Sequence, residues 1–109
     1  MATTYKVLGQ SNPSATTATT LYTVPAATQT IVSTVTVCNQ TSTAGTYRIA
    51  VRIAGAALAA SQYIAYDVSL PGNASDTLTL GLTLGATDVI TVYASAATFS
   101  FAACGSELS

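Results

Sequence analysis

Histidine and tryptophan are absent from this chain, and charge is scarce: three basic and four acidic residues stand among 109, a charged fraction of 6%. An ordinary soluble domain carries about 25%. Without histidine, Ser-His-Asp and Cys-His arrangements are excluded, and two cysteines alone make no usual zinc site. Acid–base chemistry would fall to Asp67, Asp76, Asp88 and Glu107. Asp76 and Asp88 stand at strand starts beside turns, where a carboxylate commonly accepts from local backbone. Glu107 lies in what reads as a short tail, and Asp67 sits inside a strand-like run. A glycosidase needs two carboxylates placed in one cleft, and this sparse set does not present such a pair. The chain is therefore expected not to be an enzyme, with no catalytic residue, cofactor or metal.

The same scarcity bounds the partners. Net charge is −1 with three basic residues, and neutralising several phosphates takes several Lys or Arg. Direct nucleic-acid binding is not expected. The longest run of small apolar residues, Ile53 to Ala60, is broken by Gly55 and falls short of the roughly 18–20 residues that span a bilayer. The opening residues, MATTYK, lack a positive start followed by an apolar block, which predicts synthesis and folding in a cytoplasm. In that compartment scattered cysteines such as Cys38 and Cys104 are more often small buried hydrophobes than a bridge, although their pairing stays open. Gly81-Leu-Thr-Leu-Gly85 lacks the following helix of a phosphate loop. Asn39-Gln40-Thr41 and Asn73-Ala74-Ser75 match the N-glycosylation pattern and read as turns.

What is present is alternation. Half of the residues are hydrophobic, and they recur with the period of two that a half-buried strand requires. The run LYTVPAATQTIVSTVTVCN, Leu21 to Asn39, turns at Pro25 and continues as a long β-branched strand. Its alternation predicts Ile31, Val35 and Val37 on one face and Val32, Thr34, Thr36 and Cys38 on the other. Further on, Tyr47, Ile49, Val51 and Ile53 are expected to face the core, with Thr46, Arg48, Ala50 and Arg52 outward. Leu78, Leu80, Leu82 and Leu84 are expected inward and the intervening Thr77, Thr79, Gly81 and Thr83 outward. Strands are predicted over 3–8, 19–24, 28–39, 46–54, 61–70, 75–84, 88–95 and 98–104, punctuated by turn residues such as Pro71-Gly72-Asn73. Residues 10–18, broken by Asn12-Pro13, read as a surface arm or loop. About eight short strands without helical periodicity predict an all-β fold. The expected architecture is one domain over 1–109, an antiparallel β-sandwich of jelly-roll type.

With so few charges, the surface must be Thr, Ser, Asn, Gln and Ala, with some apolar area. A monomer rarely leaves a large apolar patch wet, so part of that surface is expected to be covered by another chain. Arg48 and Arg52, four apart on one strand face, lie roughly 13 Å from each other. They are candidate donors to acidic or backbone acceptors on a neighbouring subunit. Tyr63 and Tyr66, three apart, are expected on opposite faces. At least one of them is then an outer-surface aromatic suited to a partner interface.

Several segments resemble a recurrent pattern in small tailed-phage virion structural proteins. They are LYTVPA followed by a Val/Thr strand ending Val37-Cys38-Asn39, then Tyr47 to Arg52 (YRIAVR) and Gln62 to Asp67 (QYIAYD), and finally Leu80 to Leu84 (LGLTL) before Asp88 to Tyr93 (DVITVY). The resemblance runs in order from Tyr5 to Gly105. It implies a β-sandwich that builds or decorates a particle, often as a homotrimer, and carries over no catalytic residue. The expected role is a capsid decoration or cement protein that stabilises the major capsid lattice, located in the virion, with itself and the major capsid protein as partners. The alternative is a tail, neck or baseplate component with receptor-binding loops.

Overall fold

A strand that is apolar on one side must lay that side against another layer, and eight such strands suffice to make two sheets that cover each other. A computed structural model describes residues 2–109. The strands are β1 (Thr3–Ser11), β2 (Thr19–Thr23), β3 (Gln29–Asn39), β4 (Gly45–Arg52), β5 (Tyr63–Leu70), β6 (Ser75–Leu84), β7 (Val89–Ala94) and β8 (Phe99–Leu108). Sheet A has the order β1-β8-β3-β6 and sheet B the order β2-β7-β4-β5. Strand β1 pairs with β8, β2 with β7, β3 with β6 and β4 with β5, all antiparallel. This nesting is that of one long hairpin folded over itself, a jelly roll. The only helical elements among the described residues are two short 3-10 turns, Ile53–Gly55 and Ala60–Gln62.

The core lies between the sheets. Val32, Val35, Val37, Ile49, Ile90, Val92 and Phe99 are fully enclosed, and the Tyr47 ring meets Phe101 edge-on at 6.2 Å between centroids. Each such side chain contributes about 1.5–3 kcal/mol relative to exposure. Leu84 is buried, while Leu78, Leu80 and Leu82 point inward and stay half-buried because β6 is an edge strand.

Strand β3 departs from simple alternation. Ile31 is 43% exposed and Val32 is fully buried, so the inward set is Val32, Val35 and Val37 rather than Ile31, Val35 and Val37. From Val32 to Thr34, β3 advances two residues while β8 moves one, from Gly105 to Cys104. Ser33 is the extra residue of a β-bulge, which inverts the phase of everything before it. Its hydroxyl donates to the Cys104 carbonyl at 3.1 Å. Strand β1 carries a matching bulge at Leu8, and β6 a third at Leu80–Gly81, where Gly81 adopts φ +64. The three irregularities stand side by side across sheet A. Because Cys104 faces Thr34, it lies four residues of register from Cys38, roughly 13 Å, and both thiols are free and half-buried.

Other boundaries move for similar reasons. Gly9 does not close β1, which continues to Ser11. Residues 12–18 then cross to sheet B, tied down by Asn12 Nδ2 donating to the Ala97 and Phe99 carbonyls at 3.0 and 2.6 Å. Strand β4 ends at Arg52, so Ile53 lies in a 3-10 turn, 72% exposed, instead of in the core, and Val51 is half-buried. Ala50 keeps its outward direction but is 1% exposed, flanked by Thr91 and Tyr63 across the sheet. The expected tail at Glu107 is the end of β8. Asn39 is 1% exposed, its amide donating to the Thr43 carbonyl at 2.9 Å and the Pro71 carbonyl at 3.3 Å. Its glycosylation-like sequence thus serves to join two loops.

Two tyrosines of sheet B reach across to carboxylates of sheet A. Tyr47 donates to Asp76 Oδ2 at 2.9 Å, and Tyr22 donates to Glu107. Lys6 Nζ pairs with the other Glu107 oxygen at 3.0 Å, and Thr30 sits 2.8 Å from the Tyr22 hydroxyl. With the single Tyr22 proton committed to Glu107, Thr30 must be the donor to Tyr22.

Candidate binding surfaces

Strand β4 presents Arg48 outward on sheet B, opposite Tyr93 of β7. On its other side, Tyr47 faces Val68 and Ile49 faces Ala65, so Tyr66 and Asp67 together oppose Arg48. This bulge places Asp67 at φ +49, in the left-handed region that Asp tolerates better than most residues. A second slip makes Ile64 extra between Tyr63 and Ala65. It also shifts the phase of β5, so Tyr63 and Tyr66 share the outer face instead of taking opposite ones. Their rings meet edge-on, 4.9 Å between centroids and 85° between planes.

Around Arg48 these bulges assemble a compact cluster. Its Nε donates to Asp67 Oδ1 at 2.6 Å and its Nη2 to Oδ2 at 3.3 Å, the forked geometry of a guanidinium–carboxylate pair. The guanidinium carbon lies 4.2 Å from the Tyr66 ring centre and 4.4 Å from that of Tyr93. Hydrogen bonding to Asp67 raises Arg48 further above its ordinary value, so it stays charged. Flat cation and flat rings hold one another in register.

Of the four residues singled out from the sequence, Arg48, Tyr63 and Tyr66 come together and Arg52 does not. Arg52 Nε donates to Thr91 at 3.0 Å, and its Nη1 reaches the Gly55 and Ala56 carbonyls at 3.3 and 3.1 Å. Asp88 holds the same turn through the Ala54 amide at 2.9 Å, and its own turn through the Gly85 amide at 2.9 Å. Both arginines therefore have acceptors within the chain. Tyr93 and Asp67 complete the cluster. Nothing local marks Tyr93 as a member, whereas Asp67 had a cue in being a carboxylate inside a strand-like run beside Tyr66. Next to the cluster, a cavity of about 600 Å³ is lined by Leu58, Ala59, Ala60, Tyr63 and Tyr66. Gln62 braces its loop, donating to the Ala57 carbonyl at 3.0 Å and accepting from the Ala59 amide at 2.7 Å.

The outer face of sheet A has a different character. Its rungs read Tyr5, Ser106, Ile31 and Thr83; Val7, Cys104, Thr34 and Thr79; and Gln10, Ala102, Thr36 and Thr77. Not one charged side chain stands in these rungs. Glu107 and Asp76 turn inward to the tyrosines of sheet B, and Lys6 turns inward to Glu107. Tyr5, Val7 and Ile31 are 82%, 53% and 43% exposed on this face. Among the described residues no group of three His, Cys, Asp or Glu is placed to hold a metal ion, and no helix is long and apolar enough to cross a membrane. No family model, curated protein or solved structure matches the chain.

Proposed function

We propose that this protein is a virion structural protein, a capsid decoration or cement protein that seats on the major capsid lattice as a homotrimer. The observation that carries the reading is the charge-free outer face of sheet A. Covering such a face strands no ion away from water, so the desolvation penalty that burdens charged interfaces is avoided. Four strands at about 4.8 Å spacing and ten residues at about 3.3 Å give a face of roughly 600 Å². A standard interface buries about 800 Å² per partner. Three copies around one axis let three such modest contacts act together. A protein that binds the mature lattice and not its dissociated subunits stabilises the shell by mass action.

The double variant Val7→Lys, Ile31→Lys tests this, because both side chains are already exposed and the fold has no need of them. Added to particles stripped of the protein, the parent is expected to rebind. The variant is expected to lose occupancy by at least about a hundredfold, two buried unpaired charges costing several kcal/mol. Its melting temperature should match the parent. Equal occupancy by the two proteins would remove the assignment of this face.

The tyrosine–arginine cluster on the opposite face favours a second reading, a tail, neck or baseplate component that meets a receptor. Tyr and Arg dominate the energetic centres of interfaces, and here they are rigidly placed on strands.

A further inference from the structure

We propose that the outer face of sheet B binds a neutral saccharide, its ring laid against Tyr66 and its hydroxyls held by Arg48 and Asp67. This goes beyond the role in the particle and does not depend on where the protein sits within it. Four observations converge. Tyr66 is 57% exposed on the outer face of sheet B, in the bulge where β5 passes Arg48 of β4. The adjoining cavity of about 600 Å³ lies within the range of roughly 300–1,000 Å³ typical of small-ligand sites. The left-handed Asp67 and the bulge around it turn ring and carboxylate outward together, an irregular backbone of the kind that accompanies functional sites. Lastly, the polar pair keeps unused capacity. A carboxylate offers about four lone-pair sites and a guanidinium five N–H donors, and their mutual bonds use two of each.

The chemistry of the cluster selects the ligand class. Arg48 is neutralised by Asp67, and no further ion pair among the described residues joins them, so nothing there attracts a net anion. One face of the Tyr66 ring carries the Arg48 guanidinium. Its exposed remainder is an apolar surface with a donor–acceptor rim, and a pyranose has the complementary form, a C–H face bordered by hydroxyls. A proline-rich segment also seeks aromatic-lined grooves. It brings no N–H donors for the spare Asp67 lone pairs, which would then be covered without partners.

The test is an NMR titration of the full chain, following the ring signals of Tyr63 and Tyr66. The probes are maltohexaose, cellohexaose and chitohexaose as neutral glycans, oligogalacturonate as an anionic one, and decaproline as a peptide. At least one neutral glycan should shift both tyrosines saturably. Tyr66→Ala should weaken that binding about tenfold, and Tyr66→Phe should stay within about threefold. Asp67→Asn, which keeps a residue tolerant of positive φ, should weaken the neutral glycan and give oligogalacturonate a gain, because it bares Arg48. No shift with any neutral glycan would overturn the proposal. So would binding undiminished in a folded Tyr66→Ala protein, or a parent preference for decaproline or oligogalacturonate.

Discussion

Gly105→Ala is expected to prevent the chain from reaching its folded state. A Cβ at this position would stand 2.0 Å from the Ile31 carbonyl oxygen and 3.0 Å from both the Ile31 carbonyl carbon and Val32 Cα. All three atoms are backbone of β3, so no rotamer change relieves the overlap. Strand β8 lies inside sheet A between β1 and β3, which leaves it no free side toward which to shift. Separating β8 from β3 at the bulge would cost more than about 4 kcal/mol, comparable to the whole stability of a domain at the lower end of the typical 5–15 kcal/mol. Gly81 is the matched control. Its φ is +64 but nothing lies within 4 Å of a built Cβ, so Gly81→Ala should cost only conformational strain, about 1 kcal/mol. Urea titrations followed by circular dichroism compare the two. A Gly105→Ala protein with the parent's midpoint would contradict the close approach of β8 to β3.

Stability is expected to fall at both ends of the pH scale, and Tyr22 links the two. Burial, reinforced by donation to Glu107, pushes the Tyr22 hydroxyl up to about 12. Burial and donation to Asp76 raise Tyr47 in the same direction. For such groups the unfolded chain ionises first, near pH 10. Their stabilisation is complete below about pH 10 and is lost as pH rises through the folded-state values. Glu107 moves the opposite way, lowered first by the Tyr22 hydroxyl and then by Lys6. Its contribution is complete above the ordinary carboxylate value of about 4.3 and disappears as pH falls below it. Melting temperature should therefore hold a plateau through neutral pH. Tyr22→Phe should lower stability across that plateau by about 1–3 kcal/mol, the loss of a hydrogen bond to a charged, half-buried carboxylate. It should also flatten the alkaline fall and weaken the acid one. A Tyr22→Phe profile parallel to the parent's at both ends would show that this link is not the titrating one.

Much of the fold could be read from residue order alone. Strand β6, with Leu at 78, 80, 82 and 84 between Thr and Gly, gave up its inward face directly because its bulge adds two residues, Leu80 and Gly81, and so leaves the alternation unchanged. Strand β3 did not. Its bulge at Ser33 lies among β-branched neighbours and has no local signature, since the cause is the register of β8, some seventy residues later. The same holds for Tyr63 and Tyr66, whose shared face depends on how β5 slips against β4. Pairing of β1 with β8 is likewise non-local, so strand count was legible and strand order was not. Arg48 could be picked out as an outward residue in a charge-poor sheet. Its acceptor could not, because a bulge carries Asp67 back to it.

Copy number per particle, from quantitative mass spectrometry of purified virions against the major capsid protein, tests the central claim most directly. Seating on the capsid lattice predicts a ratio near one to one, or a simple fraction repeated over the whole shell. A handful of copies in the entire particle would contradict decoration and move the protein to the tail, neck or baseplate, and complete absence from virions would remove both structural roles.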